Sequence, residues 1–175
     1  MQIVAYRGKK PRIDKNAFIA PTAVLIGDVT VEKEANIWFG AVLRGDLGAI
    51  IVKKGASVQD NTVVHSLLEG QTIIGENAVI GHGAVLHNCT IEKDAVVGIN
   101  SVVLDHARVG ERAVIGAGSV VTNKMEIPAE HLATGSPAKV KKKISGSSLW
   151  YTREQSLYKD LCNNYLAEGT GRVII

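Results

Sequence analysis

An aliphatic side chain recurs every six residues through most of this chain, and that spacing limits what it can fold into. Ile13, Ile19, Leu25, Val31, Ile37 and Leu43 stand six apart, and small side chains at Ala17, Ala23, Val29, Ala35 and Ala41 follow four residues behind. The period breaks over 44–48, resumes at Val52, Val58 and Val64, and breaks again over 66–72 before Ile74, Ile80 and Leu86. One residue is then dropped, and Ile91, Val97, Val103, Val109, Ile115 and Val121 complete the series. Helices repeat near 3.6 residues and strands at 2, so neither explains the period. A fixed longer repeat signals stacked units in a solenoid. Three hexads of short strand and turn make one triangular coil of about 18 residues, whose inward aliphatic side chains stack about 4.8 Å from their counterparts in the next coil. Roughly eighteen hexads predict an all-β solenoid, a left-handed parallel β-helix of about six coils.

Composition fits a core of this kind. Hydrophobic residues make up 46% of the 175, aromatics only 5%, and 18 glycines serve the corners. The spacing divides the chain into an entry strand over 1–12, the β-helix over 13–125, an extended connection over 126–146 and a C-terminal helix over 147–168. The last is read from Leu149, Trp150, Tyr151, Leu157, Tyr158, Leu161, Cys162, Tyr165 and Leu166 at helical spacing, with Gly169 just past the end. This helix is expected to lay its aromatic face on the β-helix. Net charge is only +3, and the one basic run, Lys139–Lys143, reads as solvated surface without an aromatic platform, so no nucleic-acid partner is expected. No apolar run is long enough to span a bilayer, and two cysteines make no disulfide framework. A cytoplasmic protein is expected.

The repeat also sets the register of the polar residues. Leu86 lies one coil above Val64, so His65 and His87, one position later, point outward and stack with backbones about 5 Å apart. His82 follows Ile80 by two positions, on the preceding wall, and does not readily reach the other two within one chain. If prisms pack about a three-fold axis, the wall bearing His82 meets the neighbour's His65 and His87. Three imidazoles can then hold one metal and leave a fourth position open, as in catalytic zinc sites. By the same count Arg44 lies beneath His65, and Gln59 and Asp60 lie next to and beneath His82. With Asp46 they ring the expected metal. Gln59, a neutral amide, suits orienting a metal-bound hydroxide, whereas Arg44, Asp46 and Asp60 also suit a salt-bridge network between subunits.

The runs Arg44-Gly45-Asp46, Val58-Gln59-Asp60-Asn61, His65, Gly81-His82 and Leu86-His87-Asn88-Cys89 resemble the γ-class carbonic anhydrases and their close homologues. The resemblance covers nearly the whole chain. It implies a homotrimer with zinc, or iron or cobalt, at three subunit interfaces, held by His65 and His87 of one subunit and His82 of the next. The implied reaction is reversible hydration of carbon dioxide to bicarbonate, with Gln59 orienting the hydroxide, Arg44, Asp46 and Asp60 holding the interface, and Tyr158 in the pocket. The chain departs from the active pattern at Leu47, where a glutamate is expected, in the short 66–70 loop, which lacks an acidic run, and at Ser57, where asparagine is common. Glu69 could replace the missing proton acceptor only if its loop folds back. Two alternatives stand beside this reading. One is a weakly catalytic metal-binding relative acting on another small substrate. The other is a hexapeptide acyltransferase, which the Gly135-Ser136-Pro137-Ala138 segment keeps open.

Overall fold

The computed structural model describes residues 1–144 and 148–171, the side chains of 148–156 excepted. Each inward aliphatic residue joins a ladder of parallel strands, and the ladders form three walls. The first wall stacks Gln2–Val4, the leading halves of Val24–Val31 and Val42–Val52, then Val63–His65, Val85–His87, Val102–Val103 and Val120–Val121. The second stacks Arg12–Ile13, the trailing halves of the same two long strands, then Gln71–Ile74, Thr90–Ile91, Arg108–Val109 and Glu126–Ile127. The third runs from Phe18–Ile19 through Asn36–Ile37, Ser57–Val58, Val79–Ile80, Val96–Val97 and Val114–Ile115 to His131–Thr134. Every wall thus has seven rungs, so the left-handed β-helix makes about seven turns, one more than the hexads alone count. The three added rungs come from the ends: Gln2–Val4 already pairs with Val24–Ile26, and Glu126–Ile127 and His131–Thr134 add one each to the second and third walls within the segment read as a connection.

The core is a set of one-residue columns. Leu25, Leu43, Val64, Leu86, Val103 and Val121 stack inward from the first wall with no exposed surface. Full burial of such a side chain contributes about 1.5–3 kcal/mol, and the repetition makes each coil a template for the next. The first break in the period is not a loop. Strand Val42–Val52 turns the corner without interruption beside Val24–Val31, the register slipping between Gly27 and Val29. The backbones touch there, since a Cβ on Gly27 would stand 2.4 Å from the Gly45 carbonyl oxygen. The second break is a turn over 66–70. The basic run Lys139–Lys143 is a fully exposed antiparallel strand closing the end of the third wall, where lysines discourage further pairing.

Helix Ser148–Ala167 ends in the bonds that Gly169 permits. Gly169, at φ 82°, donates to the Leu166 carbonyl, and Thr170 donates to that of Tyr165 at 2.8 Å, a Schellman closure. Tyr158, Leu161, Cys162, Tyr165 and Leu166 pack on Phe18, Ala20, Trp38 and Phe39 of the third wall and its corner. Leu157, which shares the helical spacing, is exposed instead. Leu149, Trp150 and Tyr151 lie outside the described side chains.

Candidate metal centre

The corner between the first and second walls gathers Arg44, Asp46, His65 and His87. Strands Val63–His65 and Val85–His87 pair with His87 directly above His65. His65 Nδ1 faces His87 Nε2 at 3.2 Å. The remaining nitrogen of each ring meets a carboxylate: His65 Nε2 lies 2.9 Å from Asp46 Oδ1, and His87 Nδ1 contacts Asp105. Protonation of the outer nitrogens toward these carboxylates leaves a lone pair on each facing nitrogen. Two lone pairs at 3.2 Å are satisfied by a shared cation, a proton or a metal. Two nitrogens on a tetrahedral zinc, each at about 2.0–2.1 Å, lie about 3.3–3.4 Å apart, so the observed spacing fits.

Asp46 is itself tied to Arg44, whose Nη1 donates to both carboxylate oxygens at 3.1 and 2.9 Å. Partial burial pushes the Asp46 carboxyl upward, but hydrogen bonds from Arg44 and His65 outweigh it and hold the pKa below the usual carboxylate value. Asp105 has no such cation. Among the described residues its carboxylate meets His87 alone. Sequence reasoning missed Asp105, because Val103 lies above Leu86 and the register therefore sets Leu104, not Asp105, over His87.

The other half of the expected site stands at the opposite edge of the first wall. His82 occupies the corner that leads into Val85–His87, above Asp60, with Nδ1 2.8 Å from Asp60 Oδ2. Asp60 Oδ1 also accepts from the Phe39 amide at 3.2 Å. Tyr158 reaches from the helix to place its hydroxyl 3.2 Å from His82 Nε2. The corner is tight: Gly83 takes φ 68°, and a Cβ there would stand 2.2 Å from the Asn100 side-chain oxygen one coil above. Among the described residues Gln59 lies beside this corner, 3% exposed. Ser57 Oγ is buried without a partner among them. Each of the three histidines therefore has one nitrogen on an aspartate, the arrangement that fixes ring orientation in metal-binding histidines.

Within one chain the two halves stay apart, and among the described residues no group of three His, Cys, Asp or Glu side chains converges for a metal. His82 projects, with a side chain 42% exposed against 13% for His65. Glu69 is exposed at the turn tip with φ 56°, its amide bonded to the Leu47 carbonyl, and forms no bond to a histidine. Leu47 is 46% exposed.

Comparison with known proteins is decisive about kinship. The chain is 42% identical over 164 residues to the carnitine operon protein CaiE of Escherichia coli, covering 92% of this chain and 83% of that protein. It belongs to the γ-carbonic anhydrase-like hexapeptide-repeat family. It is 41% identical over 154 residues to γ carbonic anhydrase 2, mitochondrial, of Arabidopsis thaliana, covering 85% of this chain but 55% of that protein. The chain thus spans little more than half the length of that plant relative. The profile described as bacterial transferase hexapeptide (six repeats) matches residues 88–123. Among solved structures, a hexapeptide transferase family protein from Anaplasma phagocytophilum superposes with a TM-score of 0.90 at 40% identity, covering 94% of this chain and 98% of that one. A Bacillus cereus protein described as a candidate acetyltransferase gives 0.92 at 38% identity, covering 94% and 96%.

Proposed function

We propose that this γ-carbonic anhydrase-like chain forms a homotrimer that holds a metal ion, zinc or else iron or cobalt, between subunits and hydrates carbon dioxide reversibly. The observation that carries the reading is the pair of carboxylate-backed imidazoles with facing nitrogens 3.2 Å apart. His82 completes the set only from a second copy. A three-fold axis parallel to the β-helix moves no residue along that axis, so partners must share a level. His82 meets that condition, since its corner feeds the strand that ends in His87.

The first wall supports such an assembly. Its outward positions form a register ladder of six valines, Val24, Val42, Val63, Val85, Val102 and Val120, with Val63 42% and Val85 37% exposed. The matching ladder on the second wall is Arg12, Thr30, Ile51, Ile73, Thr90, Arg108 and Glu126, polar everywhere but at its two central isoleucines. Contiguous apolar surface of the first kind marks an interface. A ring closes when the two edges of one wall meet in successive copies, and those edges carry His82 and the His65–His87 pair.

Zinc bound there would supply the acidity that generates a nucleophile from water near neutral pH. Gln59 offers a neutral amide beside His82, and Tyr158 adds a hydroxyl on the same ring. Arg44 and Asp46 lock His65 from behind. Among the described residues no unpaired carboxylate borders the histidines to export the proton: Leu47 lies on the strand that turns the corner, and Glu69, exposed at its turn tip, bonds to no histidine. Turnover therefore depends on buffer. The acyltransferase reading asks for one general-base histidine and gives the other two aspartate-backed rings no task. The test is stopped-flow hydration of carbon dioxide by metal-replete protein with His82→Ala as the blank. Activity above the blank that rises with buffer concentration is expected; a metal-replete wild type equal to the blank refutes the reading.

A further inference from the structure

Beside His82 lies a cavity of about 320 Å³ that carbon dioxide alone does not explain. Gln59, His82 and Tyr158 stand at one end, and Val79, Val96 and Val114 line the third wall beyond them. A water-sized unit takes roughly 30 Å³, so the space holds about ten such units, where carbon dioxide needs one or two. Its size matches the lower range of organic-ligand sites rather than a gas site. The second observation is Gln59. It is 3% exposed, lines this cavity and is the one side-chain amide in the lining, so it is the group that the polar head of a bound molecule would meet.

We propose that the cavity seats an uncharged organic molecule with a carbonyl or amide head against Gln59 and an aliphatic body of up to about ten non-hydrogen atoms along the valine wall. The lining, His82 apart, carries no ionisable side chain except the Tyr158 phenol, so a charged body is disfavoured. The head lies beside His82, within reach of the metal chemistry. The inference rests on the shared-site reading and names a ligand class for that same site.

Isothermal titration calorimetry of the zinc-loaded trimer with hexanamide and with acetamide tests it. Both have the head, and only hexanamide has the body. Hexanamide should bind saturably, about ten- to a hundred-fold tighter than acetamide, because its added methylenes are buried. Val114→Phe fills the wall away from the histidines. It should weaken hexanamide at least about ten-fold while leaving metal content, trimer mass and carbon dioxide hydration unchanged. Ala117→Phe, an exposed lining position, does the same from the mouth. Hexanamide binding no tighter than acetamide, or unchanged in folded trimeric variants, overturns the proposal. Loss of trimer and metal in both variants also overturns it, because a second copy would then fill the cavity. A wild type that holds no zinc instead refutes the site reading beneath it.

Discussion

Replacing Asp105 probes the metal centre where the sequence was silent. Its carboxylate contacts His87 Nδ1 and meets no cation among the described residues, so it orients that ring and adds undiluted negative charge behind it. Loss of such a carboxylate typically costs 10- to 100-fold in metal affinity, about 1.4–2.7 kcal/mol. Asp46 is different, because Arg44 shares its charge and braces the same corner. Asp105→Ala should therefore fall near the hundred-fold end of that range and Asp46→Ala nearer the ten-fold end. Asp105→Asn keeps an acceptor oxygen for the His87 N–H and should recover part of the loss. Zinc affinity measured by competition with a chromophoric chelator gives the magnitudes. The visible spectrum of the cobalt-substituted protein reports whether the ligand geometry changes, which a merely structural role would leave alone. Zinc affinity within about three-fold of wild type in Asp105→Ala, with an unchanged cobalt spectrum, refutes the reasoning.

Three further outcomes are expected. Val85→Glu places a charge in the exposed valine ladder and should dissociate the trimer and release metal together, as light scattering and metal analysis would show. Burial pushes the Cys89 thiol up to about 12, so iodoacetamide at neutral pH should spare it in the native protein and label it after unfolding. A hydrogen bond from Lys9, with further help from Arg12, holds Asp28 below its usual value of 3.8. A lowered folded-state value contributes stability that is present above the unfolded pKa and fades as pH falls through the folded one. Stability should thus drop below about pH 4, and Asp28→Asn should flatten that slope in denaturant titrations followed between about pH 5 and 2.

Much of the fold was legible because one buried position repeats every six residues, and columns such as Leu43, Val64 and Leu86 need nothing but correct counting. The same counting stacked His65 under His87 and Asp60 under His82. It failed where backbone replaces side chain as the determinant. The continuous strand through Gly45 depends on a glycine–glycine contact between coils, which has no periodic signature. Gln2–Val4 joins the first wall before any hexad announces it. Asp105 stayed hidden because the coil above Leu86 is a residue short, so Leu104 occupies the direct register position and the contact to His87 is diagonal. Tyr158 beside His82 depends on how a separate helix docks, which only Trp38, Phe18 and their neighbours decide.

The sharing of one metal between two copies is tested most directly by mixing mutant subunits. His82→Ala and His65→Ala each remove one ligand from every site, so neither trimer alone should retain zinc. Unfolded together and refolded, they form mixed trimers in which a His82→Ala chain supplies His65 and His87 while a His65→Ala neighbour supplies His82. Random assembly restores about one quarter of the sites, and zinc content should rise to about that fraction of wild type. Zinc content of the mixture no higher than that of either mutant alone contradicts a site built between subunits.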